Sequence, residues 1–88
     1  MVFLEVAAKQ VSRLTKSDRE RVEKAIEARA QNPDVPSARL HGDWVGHYKI
    51  KLQSIGLRVI YRIDHKVVTV IVVAVGQRAN DDIYRRPK

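Results

Sequence analysis

The sequence predicts an α+β fold: a two-layer sandwich of order β-α-α-β-β-β, an antiparallel meander sheet with two N-terminal helices on one face. Three observations carry this reading. Residues His47 to Ile63 (HYKIKLQSIGLRVIYRI) alternate between apolar and polar side chains. Residues Ala7 to Asn32 place apolar side chains at helical spacing. The run Val67 to Val75 (VVTVIVVAV) is apolar and β-branched, as in a buried strand. With 88 residues, one domain over 1–88 is expected, burying roughly two thirds of the extended chain's surface.

Met1 to Val6 (MVFLEV) reads as a first strand. Ala7, Val11 and Leu14 then share one helical face. Ser17 followed by Glu20 has capping-box spacing, so a second helix is expected from Asp18, with Asp18 and Glu20 favoured by its dipole. Val22, Ala25, Ile26 and Arg29 form its inner stripe, of which the first three bury well. Pro33 requires this helix to end by Asn32. Asn32 to Gly46 is the longest irregular segment, and its Trp44 reads as a core lid or anchor. Asp64-His65-Lys66 makes the last turn before the apolar strand, and Gln77 to Lys88 is a polar, basic tail.

A period of two puts Tyr48, Ile50, Leu52, Leu57, Val59, Tyr61 and Ile63 on one sheet face and Lys49, Lys51, Arg58 and Arg62 on the other. Even numbers point inward before the turn and odd numbers after it, so the loop must hold an even number of residues. Ser54-Ile55-Gly56-Leu57 is the expected loop, with Gly56 at positive φ. Gln53 would then face Arg58, Lys51 would face Ile60, and Lys49 would face Arg62. Such a cationic face suits an anionic ligand. A plain solvated sheet face fits the same alternation, so this pattern alone leaves both readings standing.

Composition narrows the classes. Lys and Arg number 17 against 10 Asp and Glu, a formal net charge of +7, which points to nucleic acid or another polyanion. There is no cysteine, so neither a disulfide framework nor a thiolate metal site exists. The apolar start stops at Glu5 and the run 67–75 is too short for a membrane span, so a cytoplasmic protein without membrane contact is expected. His41, His47 and His65 lack the i,i+4 spacing and carboxylate pair of a metal hydrolase, and P-loop and Gly-x-Ser-x-Gly motifs are absent. No metal or cofactor is expected. Cations and tyrosines remain, and these suit metal-free chemistry on RNA. A ribose 2′-OH attacks the adjacent phosphate once its proton is removed, and fixed cations favour the more negative phosphorane transition state. A lysine crowded by other cations has a lowered pKa, which opens the base role to it.

The run Leu40-His41-Gly42, then HYKIKLQSIGLRVIY, then Val75-Gly76-Gln77-Arg78 and Tyr84 resembles the RelE family of bacterial toxins, within the RelE/ParE superfamily of type II toxin–antitoxin systems. The resemblance covers nearly the whole chain. It implies a ribosome-dependent mRNA endoribonuclease that cuts in the A site without a metal, inhibits translation and leaves a 2′,3′-cyclic or 3′-phosphate end. It implies two partners, a cognate antitoxin and the 70S ribosome. Lys51 resembles the lysine that serves as base or charge stabiliser, with Lys49 beside it. Arg58 resembles the arginine holding the scissile phosphate. Arg78 resembles the one that stabilises the transition state or protonates the leaving group. Tyr84 resembles the tyrosine that orients the 2′-OH and stacks on the base. His41, Gln53 and Asn80 stand where the family's type member has arginine and are read as RNA contacts, together with His47 and Arg62. The chain ends four residues after Tyr84, so the family's C-terminal helix is expected to be short or missing. Two other classes stay open: a gyrase-poisoning toxin of the same fold, and a non-catalytic RNA-binding module.

Overall fold

The structure, a computed structural model, describes residues 1–67 and 69–77. A two-residue strand β1 (Val2–Phe3) leads into helix α1 (Glu5–Ser12) and helix α2 (Lys16–Ala30). Strands β2 (His47–Leu52), β3 (Leu57–Asp64) and β4 (Thr69–Gln77) follow. The sheet is mixed and four-stranded, in the order β1-β4-β3-β2. β1 runs parallel to β4, and the other neighbours are antiparallel. The predicted α+β layering is thus present. No helix among the described residues is long and apolar enough to cross a membrane.

Both helices pack on one sheet face. Ala7 and Val11 of α1 and Val22 and Ile26 of α2 meet Tyr48, Ile50, Leu57, Val59, Tyr61, Val70, Val72 and Val75 in one buried cluster. Fully burying a side chain of this size stabilises by about 1.5–3 kcal/mol relative to leaving it exposed, so these strands are held mainly through this face.

Four local expectations are corrected. β1 is two residues long rather than six, because Leu4 already serves α1. The Leu4 N–H donates to Val72 O at 3.0 Å, while the Leu4 carbonyl accepts the Ala8 N–H at 2.9 Å. α2 starts two residues earlier than the Ser17 cap implies. Thr15 has extended backbone, and its hydroxyl accepts the Asp18 N–H at 3.1 Å. Thr15-x-x-Asp18 satisfies the same side-chain-to-backbone logic as Ser17-x-x-Glu20, and the first cap the chain meets begins the helix.

The third correction is the register of the central hairpin. Leu52 pairs with Leu57, and the four-residue loop is Gln53–Gly56, a 3₁₀ turn closed by Gly56 at φ 67°. The expected loop lay one residue later and left Leu57 outside the ladder. Pairing Leu57 buries it to 5% exposure, and the left-handed glycine falls at the last loop position. The true pairs are Lys51↔Arg58, Lys49↔Ile60 and His47↔Arg62. Each strand end moves by one residue in the same sense, so every side chain keeps its face.

The fourth concerns the outer face, which two helices on the other face alone would leave concave or open. The β3–β4 ladder shifts register between Ile60 and Tyr61, so Ile60 pairs with Ala74 while Tyr61 pairs with Val72. Val73 is the extra residue of a β-bulge. It joins Ala74 and Ile60 on the outer face, where Trp44 and Leu40 cover them in a second apolar cluster. Trp44 is therefore a lid, as the sequence suggests, but on the face opposite the helices.

Candidate functional site

The outer surface of β2 and β3 presents three cross-strand pairs: His47 with Arg62, Lys49 with Ile60, and Lys51 with Arg58. Directly opposed Cβ atoms in such ladders lie about 4.5–5.5 Å apart. Lys51 and Arg58 thus form a two-cation end next to the loop. His47 and Arg62 form a second basic end, roughly 14 Å along β2 at the usual strand rise. Between them Ile60 continues into the apolar cluster under Trp44. A phosphodiester set across the Lys51–Arg58 end would meet two positive groups on a rigid scaffold, the arrangement that favours a pentavalent phosphorane over its ground state.

β2 is the outermost strand of the sheet, yet its backbone is tied down. The Leu40 N–H donates to His47 O at 2.9 Å, and Arg39 and Tyr48 form an antiparallel bridge. Arg29 reaches from α2 and donates through Nη1 to Lys49 O and to Tyr61 Oη, both at 3.0 Å. Its guanidinium also lies 5.8 Å from the Tyr61 ring centroid. The Tyr61 hydroxyl donates to Pro33 O at 2.7 Å, and the Tyr48 and Tyr61 rings stack 5.2 Å apart. The strand carrying His47, Lys49 and Lys51 is thus held in place from the edge and from beneath.

Asp34 finishes this support. It accepts from Tyr48 Oη at 2.7 Å and from Arg39 Nη2 at 2.9 Å. The hydroxyl of Tyr48 and then the guanidinium of Arg39 hold the Asp34 carboxyl below its ordinary range. The same carboxylate raises Tyr48, and burial raises Tyr61.

Of the sequence candidates, the fold brings Lys49, Lys51, Arg58, Arg62 and His47 onto one face. His41 lies off the β2 edge, where it lines a cleft beside His47. Gln53 is not on the face: it opens the 3₁₀ turn and is exposed there. This corrects the expectation that it opposes Arg58. Arg78, Asn80 and Tyr84 lie outside the described residues. Among the described residues no three His, Asp or Glu side chains come close enough to hold a metal ion. The supporting residues Arg29, Asp34, Arg39 and Tyr61 were not read as site residues. One signal was present: an arginine closing the otherwise apolar stripe Val22, Ala25, Ile26 needs a partner where it lands.

Comparison with known proteins identifies the family to which this fold belongs. The family described as the ParE toxin of type II toxin–antitoxin systems (parDE) matches residues 2–82. A RelE-like toxin protein of Escherichia coli is 37% identical over 82 residues, 93% of this chain and 85% of that one. The mRNA interferase toxin RelE of Escherichia coli K12 is 33% identical over the same shares. The crystal structure of isolated E. coli RelE superposes with a TM-score of 0.81 at 31% identity, covering 94% of this chain and 87% of that one. RelE within the intact E. coli RelBE toxin–antitoxin complex gives 0.79 at 33% identity, covering 86% and 92%. The outer cationic face and the layered fold therefore belong to a chain of the RelE/ParE family of toxins from type II toxin–antitoxin systems.

Proposed function

We propose that this protein is a ribosome-dependent, metal-independent endoribonuclease that cuts mRNA in the A site, inhibits translation and is held inactive in the bacterial cytoplasm by a cognate antitoxin. The observation that carries this reading is the Lys51–Arg58 pair, two cations directly opposed on a rigid face. The name mRNA interferase, borne by a relative 33% identical over 93% of this chain, supports it. So do the relatives solved with an antitoxin.

In the proposed step a base takes the proton of the 2′-OH, with Lys51 in that role or in charge stabilisation and Lys49 beside it. The 2′-oxygen bonds to phosphorus and the bond from phosphorus to the 5′-oxygen breaks. The leaving oxygen takes up a proton, and a 2′,3′-cyclic phosphate remains. Arg58 holds the scissile phosphate. Arg78 stabilises the transition state or supplies the leaving-group proton, and Tyr84 orients the nucleophile. β4 ends at Gln77 opposite Leu57, with Gly76 opposite Arg58. Gln77, the residue before Arg78 in the sequence, therefore stands at the Lys51–Arg58 end of the sheet, which supports grouping Arg78 with that pair. His41, His47, Gln53, Arg62 and Asn80 serve RNA binding, and the single domain 1–88 docks on the ribosome through its basic surface.

Single-turnover cleavage on programmed 70S ribosomes, with mapping of the cut ends, tests the proposal. Cyclic or 3′-phosphate ends that disappear in folded Lys51→Ala and Arg78→Ala variants are expected. Wild-type rates in both variants would overturn the assignment. A second reading, a gyrase-poisoning toxin, is favoured by the matching family's parDE description. It predicts intact mRNA on ribosomes and inhibited DNA supercoiling by gyrase.

A further inference from the structure

Beside the cationic face lies a cleft of about 380 Å³ that the proposed cleavage chemistry does not use. Arg39, Leu40, His41, Val45, Gly46, His47 and Tyr48 line it. It exists because residues 39–48 fold back on themselves. The Arg39↔Tyr48 bridge and the bond from Leu40 N–H to His47 O zip the two ends together. The turn between them holds Gly42 at φ 64° and Gly46 at φ 89°, conformations that favour glycine.

The lining argues for a planar, uncharged ligand. Arg39 is paired with Asp34 at 2.9 Å, and the two half-exposed side chains together present no isolated positive charge to the cleft. The remaining polar side chains with ring nitrogens are His41 and His47, each able to donate and accept. His47 Nδ1 lies 3.4 Å from Val45 O, which favours the proton on Nδ1 and leaves Nε2 as an acceptor. Leu40 supplies an apolar wall, and Val45 stands at the lip with 70% of its surface exposed. Apolar surface with a few convergent hydrogen-bonding groups is what a small ligand pocket requires. A phosphate would compete with the Asp34 carboxylate for Arg39 here, whereas a nucleobase would find both a flat apolar contact and edge-reading groups.

His47 belongs to two environments at once. It lines the cleft, and it pairs with Arg62 at the far end of the cationic face. A single strand whose phosphates follow that face from Lys51–Arg58 to His47–Arg62 arrives at the cleft. Phosphate contacts carry affinity there, and base contacts would carry preference.

We propose that the 39–48 cleft is a nucleobase-binding, specificity-determining site that takes one base of the single-stranded RNA whose backbone lies on the Lys51–Arg62 face. The inference rests on the RNA-cleaving reading and adds to it the position at which sequence is read. Its test needs no cleavage. Trp44, the only tryptophan, packs edge-on against His47 at 5.2 Å and so reports on the cleft through its fluorescence. Four short single-base RNA oligomers are titrated against the wild type, Val45→Asp, Val45→Ser and Val6→Asp. Val6→Asp makes the same charge change on an exposed α1 position under the opposite sheet face.

One oligomer should bind the wild type about 10-fold more tightly than the weakest, the equivalent of ~1.4 kcal/mol. Both Val45 variants should reduce that spread to about 2-fold, and Val6→Asp should keep it. Equal binding of all four oligomers, no fluorescence response, or a wild-type spread in the Val45 variants would overturn the proposal. The two readings fail separately. A preference lost in the Val45 variants, in a protein that does not cut mRNA on ribosomes, would keep the cleft and remove the nuclease. Cleavage without base preference in this titration would remove the cleft alone.

Discussion

The two faces of the β2–β3 ladder share one backbone and use it in opposite ways. Its inward pairs are Tyr48–Tyr61, Ile50–Val59 and Leu52–Leu57. Its outward pairs are His47–Arg62, Lys49–Ile60 and Lys51–Arg58. The inward set is buried under the two helices and supplies stability. The outward set places Lys51 directly opposite Arg58, a like-charge pair that opposes folding slightly and suits an anionic ligand. The inner face thus carries the electrostatic cost of the outer one. The rigidity it imposes also keeps the cations close together in the absence of ligand.

This division can be broken from either side. The largest loss of stability should follow truncation inside. Ile50→Ala leaves a cavity beneath the face and should cost about 2–5 kcal/mol, read from chemical denaturation. An unchanged midpoint would mean that the inner pairs are not what holds the hairpin.

Arg58→Ala should do the converse. Loss of one charged group acting on the transition state typically lowers turnover by about 10²–10³, while the stability cost should be well below that of Ile50→Ala. Single-turnover cleavage with parallel denaturation gives both values. A variant that unfolds as readily as Ile50→Ala would show that the face is structural.

Arg29 joins the two sides, since it lies in the helical layer and holds the carbonyl of outward-facing Lys49. Arg29→Met keeps length and loses the donors, and it should cost about 1–3 kcal/mol by stranding buried acceptors. Restoration by Arg29→Lys, whose ammonium cannot reach two acceptors with the same fork, should be partial. Full restoration would show that charge alone is needed.

The smallest effect should appear in the pH profile. The Asp34 carboxyl is held below its ordinary value near 3.8 by Tyr48 and Arg39. Its contribution is therefore present above that value and lost as pH falls through the folded one. Tyr48 and Tyr61 are raised above 10.0, so their contribution is complete below pH 10.0 and lost as pH rises beyond it. Asp34→Asn should flatten the acid limb of stability against pH. It should also remove part of the alkaline limb, because Asp34 is what raises Tyr48. Asp34 and Arg39 are both about half exposed, so solvent screens the pair and the change should be slight.

Much of the fold was legible beforehand, and the misses share a cause. The meander, the helical pair and the cationic face follow from local periodicity, which one strand or one helix expresses alone. The bulge at Val73 does not. In VVTVIVVAV every residue is apolar or β-branched, so no parity break marks where the face changes. The lid position of Trp44 and the reach of Arg29 to Lys49 O depend on elements 16 or more residues away in sequence, which no local pattern encodes.

The sequence by itself determined which side of the sheet each residue of the central hairpin occupies. Side chains alternate with a period of two, and an apolar set in water would cost too much to allow a one-residue slip. Only the tertiary structure decided which cation faces which. A two-residue change of register preserves every face, so hydrophobicity is blind to it. The choice fell to burial of Leu57 against the helical layer and to the left-handed turn at Gly56. That choice set Lys51 against Arg58 beside the loop, where the other register would have set Lys49 against Arg62.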